Sequence, residues 1–351
     1  MTNALSRCTE AADTLGQILV NDLAIWGGLF VSVIFHIIVH EGGHLVFGLL
    51  SGYRFCSFRV FNLIWIMENG KLRLRRLSVA GTAGQCLMAP PEPVDGKIPV
   101  VLYNLGGAML NGIFAVLFLV LYFVFRPLPV LAFVMLIFSM MGFFLGITNA
   151  VPVMSAFIPN DGYNAISLGK HPKAMRAFWI QLKIMEQTAQ GVRLKDMPGE
   201  WFEVPADEDM QNVMISALGV YAGNRLMDED RLEEARALME RLLSAEICLV
   251  GLHRNLLKNE LIFIETIGQN RQEVIREWMT KELLGFQKKM ATSPAILRTQ
   301  YACALLVDQD PKKAAKIKVK LEKAMKKYPY PRELEQEYEF LKMIEQKASH
   351  T

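Results

Sequence analysis

Three long apolar runs constrain this chain more than any other feature. Residues 23–50 read LAIWGGLFVSVIFHIIVHEGGHLVFGLL, and two further runs cover residues 100–125 and 128–151. Each exceeds the roughly 20 residues that a helix needs to cross a hydrocarbon core about 30 Å thick. Backbone polar groups inside a bilayer must be satisfied within their own segment, so the runs are expected to be helices. Only Arg126-Pro127 separates the second from the third, so these two form an antiparallel hairpin. The 52% hydrophobic content is concentrated in this half, and after Asp161 the composition becomes that of ordinary soluble helix.

Charge in the loops sets the expected orientation. Residues 53–98 carry Arg54, Arg59, Lys71, Arg73, Arg75, Arg76 and Lys97, whereas the opposite side offers little beyond Arg7 and Arg126. The basic loop is therefore expected in the cytoplasm, with residues 1–22 outside and everything after Asn160 inside. Residues 1–22 lack a basic start and carry Glu10, Asp13 and Asp22, which argues against a cleaved signal peptide. A net charge of +3 with no basic stripe argues against nucleic acid as a partner. The five cysteines are scattered without CxxC spacing and read as small buried hydrophobes.

A β insert is expected over residues 53–80, where YRFCSFRVFNLIWIM and KLRLRRLSV flank Glu68-Asn69-Gly70, an Asn-Gly hairpin signal. The following GTAGQCLMAPP is too broken for a helix and would enter a membrane only where protein shields its backbone. Residues 163–209 read as a juxtamembrane helix and linker. Within them, His171 to Gln187 is amphipathic, suited either to an anionic leaflet or to its own domain, and the charged, Pro-containing stretch 195–209 reads as the linker. From residue 210 to 351, turn signals recur every 40 residues, at Asp228-Glu229-Asp230, Gly268-Gln269-Asn270 and Asp308-Gln309-Asp310. This period superposes Met227, Ile267 and Val307 before the turns, and Met239, Met279 and Val319 after them. The pattern predicts stacked αα-hairpins, and NRLMDEDRLEEARALMERLL resembles a tetratricopeptide unit.

The chemistry is concentrated in His40-Glu41-Gly42-Gly43-His44, an H-E-x-x-H pattern. On a helix the two imidazoles share one face and can clamp one Zn²⁺, while the glutamate serves as general base on a metal-activated water. Two His and a Glu inside an apolar span cost several kcal/mol unless paired or metal-bound, and the bland alternative is a satisfied polar cluster in helix packing. From Leu23 to His40 a helix rises roughly 25 Å, which places the metal within the membrane near its cytoplasmic side. A catalytic zinc normally takes three protein ligands. Asp161, just past the third span, is the candidate third ligand, although an Asp before Gly is equally at home in a turn. His36, one turn before His40, reads instead as a residue supporting the ligands or the packing.

These residues resemble the site-2 protease family of intramembrane zinc metalloproteases. HEGGH lies on the first span, Gly107-Ala-Met-Leu-Asn111 on the second, and Asn149-x-x-Pro152 followed by Asp161-Gly162 at the third. The resemblance covers residues 23–162 and implies that His40, His44 and Asp161 bind one zinc per chain and that Glu41 is the base. It also implies that Asn111 and Asn149 position substrate or stabilise an oxyanion, and that a strand after the first span pairs with unwound substrate. The stretch between Pro152 and Asp161 is longer than the family usually shows, and Tyr163 follows Asp161-Gly162 where a second Gly is common.

The expectation is thus a mainly α membrane protein with a three-transmembrane-helix zinc metalloprotease core, a small β-hairpin or sheet insert and a soluble all-α helical-hairpin repeat domain. It would be a multi-pass protein of a bacterial plasma membrane that hydrolyses peptide bonds within or beside transmembrane segments of other proteins. Residues 210–351 would bind a partner or another copy. The alternative is an inactive protein of the same fold that captures transmembrane peptides.

Overall fold

The computed structural model describes residues 2–68, 71–79, 81–154, 159–244 and 247–349, with the backbone alone described at 2–21, 23, 24, 68 and 244. The chain divides into two compact units: residues 1–51, 101–153 and 160–165 form the first, and the remainder the second.

The first unit is built from α1 (Thr2–Leu50), α2 (Val100–Val124), α3 (Pro129–Ala150) and the start of α4 (Asp161–Leu168). Three helical segments, Ile25–Leu50, Val100–Val124 and Pro129–Ala150, are long and apolar enough to cross a membrane. Their outward faces carry Phe30, Leu50, Val120, Phe123, Met140 and Phe144, all more than half exposed, an apolar surface suited to lipid. Between the helices, small residues bring backbones together. A Cβ on Gly43 would lie 2.2 Å from the Gly106 carbonyl oxygen, and one on Gly106 would lie 2.6 Å from that of Gly43. Close approach of this kind holds helices together where burial from water cannot.

The second unit opens with an antiparallel sheet of β1 (Arg54–Val60), β2 (Leu63–Glu68), β3 (Lys71–Arg76) and β4 (Gly84–Ala89), in the order β3-β2-β1-β4. The β2–β3 hairpin forms with Glu68 opposite Lys71, while its Asn69-Gly70 turn lies outside the described residues. Two features depart from the sequence expectation. The run 53–67 is two strands, folded at Phe61-Asn62 with Phe61 at φ 54°, and the Gly-rich stretch that looked too broken for a helix contributes β4, paired along β1. Pairing with a distant strand supplies the hydrogen bonds that its own composition does not advertise.

The helices of this unit are α5 (Pro172–Ala189), α6 (Val213–Asp228), α7 (Leu232–Ser244), α8 (Gly251–Ile267), α9 (Gln272–Trp278), α10 (Lys281–Lys289), α11 (Pro294–Ala302), α12 (Pro311–Met325) and α13 (Glu333–Ser349). The apolar face of α5 buries Ala174, Ala177, Phe178, Ile180, Leu182 and Ile184 against β4 and α6, so of its two sequence readings the packed one holds. Residues 195–209 are not a loose linker: short 3₁₀ turns bury Met197, Trp201 and Phe202.

All three 40-residue turn signals join consecutive helices, α6 to α7, α8 to α9 and α11 to α12. Asp230, Asn270 and Gln309 each take positive φ there. The last turn is one residue shorter. Ala235 and Leu242 of α7 are buried, and so are Ala314 and Leu321 of α12, 79 positions on, whereas Val319 is 65% exposed rather than matching the buried Met239. The core of these helices includes Arg298, 2% exposed, whose guanidinium lies 4.1 Å from the Phe263 ring centre and 4.7 Å from that of Phe340.

Candidate metal centre

His40 and His44 sit one turn apart on α1, and Asp161 opens α4. Nε2 of His40 is 2.9 Å from Oδ2 of Asp161, Nε2 of His44 is 3.4 Å from the same oxygen, and the two Nε2 atoms are 3.2 Å apart. At zinc–ligand distances of about 2.0–2.1 Å, two vertices of a tetrahedron are separated by about 3.3 Å. The three atoms are thus spaced as one face of a zinc coordination shell would be, and this chain's donors, two imidazole nitrogens and a carboxylate, fit zinc chemistry. Burial works against ionisation of Asp161, but the His40 and His44 imidazoles beside it outweigh that and hold the carboxyl well below the usual carboxylate range.

Each ligand is held from behind. Nδ1–H of His44 donates to the Tyr103 carbonyl at 2.8 Å, which leaves Nε2 as the lone-pair nitrogen. Behind His40 runs a longer relay. Nε2 of His36 is 2.9 Å from the Phe138 carbonyl, which only accepts, so Nε2 carries the hydrogen. His36 is fully buried among Phe35, Phe118 and Phe138, where a neutral ring is favoured. Its Nδ1 must then accept from the Asn111 amide, 3.0 Å away. As placed, Oδ1 of Asn111 faces His36 and Nδ2 faces Nδ1 of His40; the two amide ends are exchangeable by a half-turn, and the half-turned amide, donating to His36 and accepting from Nδ1–H of His40, meets that demand. The Asn111–His40 separation is 3.4 Å. His40 is thereby left with its Nε2 lone pair facing the other two ligands.

Glycine makes room for this arrangement. A Cβ on Gly107 would come within 2.6–2.7 Å of the His40 ring, and one on Gly142 within 2.6 Å of His36 Cε1. Glu41 is 7% exposed and close enough for its charge to act on His44.

Asp161 is delivered by Asn160. The Asn160 side chain donates to the carbonyls of Thr148 (2.9 Å) and Val151 (2.6 Å), while its Oδ1 accepts from the backbone N–H of Val153 (2.9 Å) and of Tyr163 (3.0 Å). One residue thus caps α4 and ties it to the end of α3. The Asn160 N–H also reaches the Val153 carbonyl, and Met154 pairs with Pro159. Gly162 packs so closely on the end of α3 that a Cβ there would lie 2.1 Å from the Ala150 carbonyl oxygen.

Of the residues singled out in the sequence, His40, His44, Asp161, Glu41 and Asn111 come together. Asn149 does not join them by any contact seen here: its side chain donates to Leu145 of its own helix at 2.9 Å. Tyr103, Phe138 and Asn160 were not anticipated. Asn160 alone carried a readable signal, as an N-cap residue before Asp-Gly. No protein-family model, no curated protein and no solved structure matches this chain.

Proposed function

We propose that this protein is an intramembrane zinc endopeptidase, like the site-2 proteases that its motifs resemble, and that it cleaves membrane-protein substrates within or beside their transmembrane segments. The observation that carries the reading is the triangle of His40, His44 and Asp161, whose histidines, with Glu41 buried between them, lie on a helix apolar enough to cross a membrane. A hydrolytic centre gives polar groups in such a helix a reason to exist. In this reading the chain is multi-pass, with its basic loop and helical hairpins in the cytoplasm, and the hairpins recruit substrate as a tetratricopeptide-like surface.

His40, His44 and Asp161 would hold the zinc, and zinc bound there supplies Lewis acidity toward a peptide carbonyl and toward water. The remaining work falls to the chain. Glu41 takes a proton from the attacking water and returns it to the leaving amine nitrogen. Tyr103 and the His36–Asn111 relay keep the ligand nitrogens turned to their task. β3 is an edge strand with five of its six residues exposed, and its outer edge offers new partners to a substrate helix that has surrendered its own hydrogen bonds.

The test is to express the wild-type chain and Glu41→Gln in the same cells and compare full-length membrane proteins by quantitative proteomics. Substrates accumulate only with the variant. Identical profiles across growth and stress conditions would remove the support for proteolysis.

A further inference from the structure

A second polar feature lies in the second unit. A groove of ≈ 390 Å³ is walled on one side by Asn62 and by Arg76 to Val79, at the end of β3, and on the other by the α10–α11 turn, α12 and the turn that follows it. Its charged lining groups are Arg76, Lys320, Lys323 and Lys327, and no carboxylate lines it. Among the described residues none of these four cations is in an ion pair, although Lys313 and Lys318 on the same helix are paired, with Asp308 and Glu345. Lys320 and Lys323 are spaced to share one face of α12, and Lys327 follows in the turn after that helix. Tyr328, also in the lining, gives its hydroxyl hydrogen to Glu333 and stays neutral, because burial raises its pKa. The hydroxyls of Ser78, Thr292 and Ser293 add neutral donors.

The groove continues the edge strand. β3 reads KLRLRR, pairs only with β2 among the described strands, and ends at Arg76, which is also the first of the groove's four cations. An extended polypeptide hydrogen-bonded along the outer edge of β3 would pass Lys71 and Arg73 and run on toward Lys320, Lys323 and Lys327. Side chains on such a segment meet cations at one position after another, and carboxylates answer them.

We infer that this groove, together with the edge of β3, binds an extended acidic polypeptide segment. Under the proteolytic reading, that segment is the Asp/Glu-rich flank of the substrate's transmembrane helix. The assignment of the segment to a substrate rests on that reading, whereas the binding itself does not.

The experiment uses the full chain carrying Glu41→Gln, in nanodiscs of zwitterionic lipid, and reads fluorescence anisotropy with an extended peptide alternating Glu and Val. A Gln/Val peptide is the neutral control. The acidic peptide binds, the neutral one binds at least tenfold more weakly, and raised salt weakens the acidic one. The triple variant Lys320→Glu, Lys323→Glu, Lys327→Glu weakens acidic-peptide binding at least tenfold. The milder Lys→Gln triple falls in between and guards against a reversal variant that misfolds. A control with the same net charge, Lys170→Glu, Arg276→Glu and Lys342→Glu, binds as the parent does. Equal losses in control and groove variants would mean unspecific attraction and overturn the inference. So would variants that lose binding to anionic vesicles but keep the peptide, because the cations would then serve a lipid surface. Cleavage enters none of these measurements, so an inactive protease and an empty groove give different results.

Discussion

The amide of Asn111 bridges two imidazoles, 3.0 Å from Nδ1 of the buried His36 and 3.4 Å from Nδ1 of His40, so an amide that donates to His36 accepts from His40 and leaves the His40 Nε2 beside Asp161 with its lone pair. Hydrogen bonds behind a metal ligand of this kind typically change metal affinity about 10–100-fold. Asn111→Ala is therefore expected to weaken zinc binding by about that factor without unfolding the protein, measured by chelator competition on the purified chain. Asn111→Asp, which still accepts from Nδ1 of His40, should lose less. Equal affinity in wild type and Asn111→Ala would show that the relay has no hold on the ligand.

Close packing on α2 yields a sharper contrast. A methyl group on Gly107 would overlap the His40 ring, whereas nothing lies within 4 Å of a Cβ built on Gly112. Gly107→Ala should lower zinc occupancy and cost about 1–3 kcal/mol of stability, as overpacking generally does. Gly112→Ala should leave both unchanged. Thermal unfolding in detergent, with zinc measured on the same samples, separates the two.

Asn160 carries four hydrogen bonds just before Asp161. Asn160→Ala removes the α4 cap, worth about 1 kcal/mol, and frees the loop that presents the third ligand. Zinc affinity is expected to fall toward that of Asp161→Ala. Asn160→Asp keeps the acceptor for the Val153 and Tyr163 N–H groups but loses the two donors, so its affinity should lie between.

In the helical unit, burial pushes the Glu337 carboxyl up to about 7 and that of Glu333 up to about 6. Glu337 also shares the guanidinium of Arg298 with Glu260, so one cation serves two acids. Both acids hold protons more tightly folded than unfolded. Their contribution to stability is thus complete below about pH 4.5 and is lost as pH rises through 6 to 7. Burial lowers His253 to about 4, which acts oppositely, removing stability as pH falls from about 6.5 through 4. Glu337→Gln should flatten the loss on the alkaline side, read from thermal unfolding between pH 5 and about 8. An unchanged slope would contradict a buried, proton-holding Glu337.

The three long apolar helices and the His-Glu-His cluster were legible because each rests on a local rule: the length of an apolar run, or the i, i+4 spacing of two imidazoles on one helix face. What escaped depends on distant partners. β4 has no alternating pattern of its own and is recognisable only beside β1. The fold at Phe61-Asn62 uses positive φ on an aromatic residue, where a glycine would have announced it. Residues 195–209 looked like linker from their charges and prolines, although Trp201 and Phe202 needed somewhere to be buried. The exposure of Val319 comes from one residue missing at the last turn, which shifts the helical register that a fixed period assumes. At the candidate metal centre, the carbonyls of Tyr103 and Phe138 act through backbone atoms, which leave no mark on residue identity.

Zinc binding by His40, His44 and Asp161, with hydrolysis driven by Glu41, is read best from zinc content and cleavage of a membrane-embedded reporter substrate, recorded together on wild type, Glu41→Gln and His44→Ala purified side by side. One zinc per chain is expected in wild type and in Glu41→Gln, with far less in His44→Ala, and cleavage in wild type alone. Cleavage surviving in Glu41→Gln, or a wild-type chain that holds no zinc when supplied with it, would contradict the account.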